Sequence, residues 1–285
     1  MLIKLNFKDL IFYPLRKIKL LVRLFIVEIN EYKYPEKMRY QDLINTYKKC
    51  NLKHNRNETV KYLNNILESL GFKKYSEMEG LYSEHLIIFA AIAKSDFKID
   101  NILEIGTHNG RTSSILSKLF PKANITTIDL DDNDPTFKNT YKRDKNIKLF
   151  IKNRNKLISQ QKNINFIQMN SLKLSIANNN IPEQDLIWVD GAHGYPIVSS
   201  DITNSIKLMN NESVLMCDDI WKKTKKNDNM YVSNAGYETL LSFSKAKIIK
   251  TSFFRKRIGK NFNGNYKFIS FSKLDNDLIS NKFYY

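Results

Sequence analysis

Asn101-Ile-Leu-Glu-Ile-Gly-Thr-His-Asn-Gly-Arg-Thr112 is the stretch from which the fold of this chain can be predicted. An apolar run, Asn101–Ile105, is followed at once by a glycine-containing turn and by residues that favour a helix. Gly106 allows a tight turn, and Gly110 lets the backbone come close to a ligand. Free backbone N–H groups at the start of a helix can hold a polar or anionic group. The stretch therefore predicts a strand, a ligand-binding turn and a helix.

Similar apolar runs recur along the chain at regular intervals. Segments that can form helices separate the first five runs, which is typical of a parallel sheet covered on both faces. The last two runs are joined by the turn Gly259–Asn265, which predicts an antiparallel pair. We therefore expect an α/β fold: a doubly wound, mostly parallel, Rossmann-like seven-stranded sheet with an antiparallel C-terminal hairpin. The runs are Asn101–Ile105, Asn124–Leu130, Asn163–Met169, Asp185–Val189, Ser213–Cys217, Lys247–Phe254 and Tyr266–Lys273.

The N-terminal quarter of the chain has a different pattern. Residues 1–75 show no strand-like alternation and are expected to form a helical arm, whereas residues 76–285 form the domain that contains the sheet. No stretch of about 20 apolar residues is present, so no spanning helix is expected. Within residues 1–27, several apolar side chains would share one helical face, and basic residues lie elsewhere. Such a helix packs on the protein or a dimer partner, or lies on an anionic membrane. The apolar positions are Leu15, Ile18, Leu21, Val22 and Phe25.

The composition limits the choice of partner and compartment. The formal net charge is +17, from 46 Lys and Arg against 29 Asp and Glu in 285 residues. Most of these cations are Lys, within a chain-wide bias towards Lys, Asn and Ile, and no nucleic-acid-binding motif accompanies them. We therefore expect no nucleic-acid partner.

The two cysteines, Cys50 and Cys217, form no CxxC pattern. A reducing, cytoplasmic location is expected.

The predicted strand ends indicate an adenosine ligand. Asp129 ends the second run, 19 residues after Gly110, where an acid can accept both ribose hydroxyls. The dinucleotide fingerprint GxGxxG requires a middle glycine, and His108 stands in that place. This argues against NAD and leaves S-adenosylmethionine, which contains adenosine but no phosphate. The candidate cofactor-binding residues are Glu104, Gly106, Thr107, Gly110, Thr112, Asp129, Asn170 and Ser171.

Acidic residues follow the fourth and fifth runs. Asp190 and then His193 follow the fourth, and Asp218 and Asp219 follow the fifth. Three carboxylates at neighbouring strand ends repel one another unless a cation neutralises them, and oxygen ligands in that number suit Mg²⁺. A nearby His can take a proton from a bound hydroxyl. Taken singly, His193 could be structural and Asp219 could be a helix N-cap.

Four motifs carry a resemblance to a known family. The segments EIGTHNGRTS, ITTIDL, WVDGAHGY and VLMCDDI resemble the class I S-adenosylmethionine-dependent methyltransferases. More narrowly, they are similar to the group that includes the macrolide-sugar O-methyltransferases and the cephalosporin-hydroxylase-like proteins. The resemblance covers residues 79–273. It implies Mg²⁺ held by Asp190, Asp218 and Asp219, with His193 as the general base, although the family often has Glu where Asp218 stands.

The resemblance implies an O-methyltransferase that acts on a hydroxyl of a small molecule or sugar, with Asp190 and His193 at the catalytic centre. Two alternatives stay open at this point. One is a metal-independent methyltransferase in which His193 alone is the base. The other is a catalytically inactive protein that binds S-adenosylmethionine or associates with a membrane. In either case a homo-oligomer is possible.

Overall fold

The computed structural model describes residues 34–53, 55–77, 82–140, 145–175, 181–222, 233–259 and 267–275, with scattered positions between 18 and 29. From residue 34 onward, three helices precede the first strand: α1 (Glu36–Lys49), α2 (Arg56–Ser69) and α3 (Glu84–Ala93). Asn55 caps α2 through its side chain, which accepts a hydrogen bond from the backbone N–H of Glu58. The helices α1 and α2 agree with the helical character expected for residues 1–75.

The sheet contains the seven predicted strands. Their order across the sheet is β3-β2-β1-β4-β5-β7-β6, with β1 to β5 parallel and β7 antiparallel to both β5 and β6. The predicted fold class is therefore confirmed. The strands are β1 (Asn101–Ile105), β2 (Asn124–Asp129), β3 (Ile164–Gln168), β4 (Gln184–Val189), β5 (Met209–Ile220), β6 (Ile249–Arg255) and β7 (Phe268–Leu274).

Helices connect the parallel strands. The polar segment 131–162 contains two of them, and most of the polar segment 221–234 lies outside the described residues. A 3-10 turn, Ser171–Ser175, follows β3. The connecting helices are α4 (Arg111–Leu119), α5 (Pro135–Asn139), α6 (Ile147–Ser159), α7 (Ile197–Lys207) and α8 (Ala235–Lys245).

The sheet has a buried apolar cluster on each face. Leu43 and Tyr47 of α1 and Leu63 of α2 lie in the same cluster as Trp188 of β4 and Phe254 of β6. Burying a side chain of this size stabilises the fold by about 1.5–3 kcal/mol. The described part of the N-terminal helices is therefore packed on the sheet. The domain boundary at residue 75 stays a prediction.

The sequence-based prediction for residues 1–27 can be compared with the structure only at the described positions, which start at residue 18. Among the described residues, helices lack the length and apolar character needed to cross a membrane. Ile18, Leu21, Val22 and Phe25 are helical, and each is at least half exposed.

Candidate active site

The glycine turn after β1 is shaped by contact with the end of β4. Gly106 has a φ of +104°, and its N–H donates to the carbonyl oxygen of Ile128 at 2.8 Å. A Cβ at this position would lie 2.3 Å from the carbonyl oxygen of Asp190. Backbone conformation and space therefore both require glycine here. The turn and the acid of β4 are consequently held against each other.

The same turn orients Asp129. One carboxylate oxygen accepts a hydrogen bond from the N–H of His108, and the other accepts from the N–H of Leu130, both at 2.8 Å. The carboxylate is half-buried at the end of β2, and an acid in this position can accept hydrogen bonds from the ribose hydroxyls of an adenosine-containing cofactor. His108 has a φ of +49°, and its ring packs edge-on against Phe150 at 5.3 Å. His108 thus adopts the left-handed conformation that is usual for glycine.

Two other predicted cofactor residues are buried beneath the turn. Glu104 accepts hydrogen bonds from the hydroxyls of Ser113 and Thr127, the latter at 2.6 Å, and burial raises the pKa of Glu104 to about 7. The hydroxyl of Thr107 also lies 2.6 Å from that of Thr127. The side chains of Glu104 and Thr107 thus link β1 and the turn to β2 and α4 through these hydrogen bonds.

The remaining predicted cofactor residues lie around the same edge of the sheet. Gly110, with a φ of +76°, immediately precedes α4, and Thr112 is half-buried in the first turn of that helix. Asn170 is exposed, and its side chain accepts a hydrogen bond from the N–H of Leu172 at 3.0 Å. Ser171 begins the 3-10 turn. Their contact with a cofactor stays a prediction.

The predicted catalytic residues lie together at the carboxyl ends of β4 and β5. Val189 pairs with Cys217, so Asp190 and Asp218 are the next residues along neighbouring parallel strands. His193 Nε2 lies 3.8 Å from a carboxylate oxygen of Asp190 and 3.9 Å from one of Asp219. The imidazole is therefore placed between two acids, beyond hydrogen-bond distance of either.

An irregularity in β5 brings both of its acids to one side. Consecutive strand residues normally point to opposite faces of a sheet. Here the register between β5 and β7 shifts between Cys217 and Ile220, and Asp219 has a φ of +51°. Such a bulge reorients a side chain next to a site. Asp218 and Asp219 consequently both contact the ammonium group of Lys256.

Two lysines neutralise the acids of β5. Lys256 donates to Asp218 and, at 2.6 Å, to Asp219. Lys267 donates to the other carboxylate oxygen of Asp219. The side chain of Lys256 is 18% exposed, and those of Asp218 and Asp219 are 6% and 13% exposed. The lysines thus form a nearly buried ion-pair network with the acids.

The residues present do not fit the expected Mg²⁺ site. An octahedral Mg²⁺ needs free carboxylate oxygens, and lysines hold oxygens of both Asp218 and Asp219. Among the described ranges, no group of three or more His, Cys, Asp or Glu side chains is arranged to hold a metal. The grouping of Asp190, Asp218 and Asp219 is as expected, but the charge that balances the acids of β5 comes from the chain itself.

The ionisation of these groups follows from burial and charge. Burial opposes ionisation of Asp218, but the ammonium of Lys256 outweighs it and holds the pKa of Asp218 well below its usual range. Burial, followed by the charge of Asp218, raises the pKa of Asp190. Burial also lowers the pKa of His193, although the charges of Asp219 and Asp218 act in the opposite direction. His193 is therefore neutral near pH 7 and able to accept a proton.

Sequence reasoning missed several side chains at this edge. Lys256 and Lys267 carry no local motif and reach the acids only through the pairing of β6 and β7. His85 of α3 stacks on Trp188 at 5.1 Å, and burial lowers the pKa of His85 to about 4. Asp201 of α7 is fully buried, and burial raises its pKa to about 6. Asp201 Oδ2 lies 3.5 Å from where a Cβ on Gly191 would be.

Comparison with known proteins agrees with this fold. Residues 103–220 match a family described as a methyltransferase domain. Curated protein sequences yield no match to the chain. The matched residues lie within residues 79–273, the part of the chain for which the sequence predicts a methyltransferase domain.

Solved structures similar to this chain include two bacterial O-methyltransferases. TomG from Streptomyces achromogenes, in complex with S-adenosylmethionine, is 12% identical, with a TM-score of 0.47 over 78% of this chain and 91% of that one. An O-methyltransferase from Bacillus cereus, in complex with S-adenosylhomocysteine, is 12% identical, with a TM-score of 0.46 over 79% and 94% of the two chains. Likeness at this level carries no information about the acceptor or the catalytic residues.

Proposed function

We propose that this protein is an S-adenosylmethionine-dependent O-methyltransferase that acts on a hydroxyl of a small molecule or sugar, with His193 as the general base. The observation that supports this most is a neutral imidazole between Asp190 and Asp219, at the strand ends beside the glycine turn. Methyl transfer is a direct displacement at the sulfonium carbon. The protein has to align the acceptor oxygen with that carbon and remove its proton.

Each group then has one role in the proposed reaction. Asp129 and the glycine turn hold the adenosine part of the cofactor, which supplies the activated methyl group. His193 Nε2 accepts the acceptor's proton as the C–O bond forms and the C–S bond breaks. Asp219 stabilises the imidazolium that results, since one of its carboxylate oxygens lies 3.9 Å from Nε2 and its charge opposes the effect of burial on the pKa of His193. No step is assigned to Mg²⁺.

Calorimetry with S-adenosylhomocysteine tests the cofactor part of the proposal. S-adenosylhomocysteine should bind and NAD should not. Asp129→Ala should weaken binding by about 1–3 kcal/mol, roughly 5- to 150-fold, because ribose hydroxyls and the His108 N–H lose their acceptor. Asp131→Ala, at an exposed acid two residues further on, is the matched control and should leave the affinity unchanged. Equal affinities of wild type and Asp129→Ala would remove Asp129 from the cofactor site.

The methyl acceptor can be identified by measuring the release of S-adenosylhomocysteine. S-adenosylmethionine is incubated with a panel of sugars, nucleotide-linked sugars and phenols, and S-adenosylhomocysteine is measured with and without EDTA. Turnover of a hydroxyl compound supports the proposal. Turnover of an RNA substrate alone, or methylation of nitrogen alone, would contradict it.

We also propose that residues 1–27 contact an anionic membrane surface. Ile18, Leu21, Val22 and Phe25 expose apolar area on helical positions, and the sequence places Arg and Lys between them. Apolar area together with positive charge is the combination that binds anionic lipid. The alternative occupant is a second copy of the chain.

Deletion of residues 1–27 tests this proposal. The shortened protein should fold and keep its affinity for S-adenosylhomocysteine, but lose sedimentation with anionic phosphatidylserine vesicles. Neutral phosphatidylcholine vesicles are the control. Equal vesicle binding by both proteins would eliminate the membrane role. A change from dimer to monomer in analytical ultracentrifugation, without vesicle binding by the full chain, would assign the segment to self-association.

A further inference from the structure

We infer that Lys256, assisted by Lys267, is a built-in cation that occupies the place expected for Mg²⁺. The inference rests on the proposed function, because the acids concerned are those that surround His193. It goes further in assigning the charge balance of the site to a named side chain. Lys256 is a positioning residue: its ammonium contacts Asp218 and Asp219, not the reacting atoms.

The first argument is the geometry of the contacts. The ammonium of Lys256 bridges carboxylate oxygens of two different acids, and Lys267 binds the second oxygen of Asp219. One cation between several carboxylates is the arrangement that the sequence predicts for a metal. An ammonium has three N–H donors and can serve two acids at once. Lys256 therefore supplies both the charge and the directed contacts of the expected cation.

The second argument is that the backbone of Lys256 is fixed. Its N–H donates to the carbonyl oxygen of Lys267, and its own carbonyl oxygen accepts from the N–H of Glu84, both at 3.0 Å. The Glu84 carboxylate is in turn held by Tyr47 at 2.8 Å and by Arg56 at 2.7 Å. Lys256 is thus held by β7 and by the start of α3.

The third argument is the support that the following residues receive from the N-terminal helices. The guanidinium of Arg39 donates to the carbonyl oxygen of Ile258 at 2.6 Å. The Glu77 carboxylate accepts from the N–H groups of Ile258 and Gly259, at 3.0 and 2.9 Å. These hydrogen bonds fix the backbone beside Lys256. A lysine that takes the place of a bound cation needs a fixed backbone, because its ammonium has to stay beside the acids.

The fourth argument is the cost of losing the ammonium. An isolated carboxylate that is nearly removed from water is strongly unfavourable, so Asp218 needs a cation beside it. Without Lys256, the acid pair becomes a set of oxygen ligands that attracts a divalent ion. A direct consequence concerns the acceptor. With Lys256 in the place of the metal, the acceptor needs only one hydroxyl within reach of His193, because a lysine does not bind two adjacent acceptor oxygens.

Cation binding tests the inference without a known acceptor. Mn²⁺ is titrated into the full-length protein and followed by electron paramagnetic resonance, and thermal unfolding is measured with Mg²⁺ and with EDTA. Wild type should bind no stoichiometric Mn²⁺, and its melting temperature should not respond to either addition. Lys256→Met should bind Mn²⁺, and Mg²⁺ at about 100 times its Kd should raise its melting temperature by roughly 5 °C or more.

Two matched variants separate this role from a general loss of stability. Lys250→Met removes a lysine of the preceding strand β6 whose ammonium is 2.7 Å from Asp275, and it should gain no Mn²⁺ site. Lys256→Arg keeps the positive charge, and it should also gain no site. A merely structural lysine would give lower stability in Lys256→Met without any gain of cation binding.

Three results would overturn the inference. The first is stoichiometric Mn²⁺ binding by wild type that Asp190→Asn abolishes, because the lysines would then yield to a metal. The second is folded Lys256→Met that binds no Mn²⁺. The third is Mn²⁺ binding by Lys256→Arg. If Lys256→Met folds neither with nor without Mg²⁺, the wild-type and Lys256→Arg titrations decide. Calorimetry with S-adenosylhomocysteine is run alongside, since its failure in wild type would contradict the proposed function and leave the cation result intact.

Discussion

Replacing His193 with Ala is expected to lower the rate of methyl transfer by roughly 10²–10⁴, the usual contribution of a positioned general base. His193 is 9% exposed and lacks close hydrogen bonds to the acids on either side, so its removal should have little effect on folding. The variant should bind S-adenosylhomocysteine as wild type does. The measurement is kcat/KM with the acceptor identified by product release, together with thermal unfolding.

The pH dependence gives a second check on His193. The base has to be deprotonated, and burial lowers the pKa of His193. The activity of wild type should therefore hold through neutral pH and fall only as pH drops below the ordinary histidine range. Added imidazole should restore part of the activity of His193→Ala. Full activity of His193→Ala, with an unchanged low-pH limb, would contradict the assignment of the base.

The sequence was sufficient to predict the sheet, because continuous apolar runs bounded by polar residues mark buried parallel strands. The grouping of Asp190, His193, Asp218 and Asp219 could also be predicted, since the carboxyl ends of neighbouring parallel strands meet at one edge of the sheet. The length of β5 was underestimated. Its first residue, Met209, pairs with Gln184 of β4, and the register then shifts so that Leu186 pairs with Val214; the polar residues 210–212 between these pairs break the apolar run.

The cation at the site could not be predicted from local sequence. Ile220 pairs with Phe268, and Arg255 pairs with the same residue, so Lys256 and Lys267 emerge together beside the acids. That register depends on a bulge in β5, and apolar periodicity does not report bulges. The positive φ of His108, +49°, is likewise not predicted by the sequence pattern.

Replacing Gly106 with Ala is expected to destabilise the protein by about 3–5 kcal/mol, through positive-φ strain and overpacking together. An added Cβ would lie 2.3 Å from the carbonyl oxygen of Asp190 and 2.6 Å from its carbon, and backbone atoms cannot rotate away. The turn and the loop that carries His193 would have to separate. Binding of S-adenosylhomocysteine should therefore be lost together with stability.

Gly71→Ala is the matched control, because Gly71 has a φ of +71° but no atom within 4 Å of the added Cβ. It carries the cost of the left-handed backbone alone, about 1–2 kcal/mol, and it lies far along the chain from the cofactor turn. Thermal unfolding and calorimetry on both variants separate strain from collision. If Gly106→Ala lost no more stability than Gly71→Ala and still bound S-adenosylhomocysteine, the contact between the glycine turn and Asp190 would not be what holds the two halves of the site together.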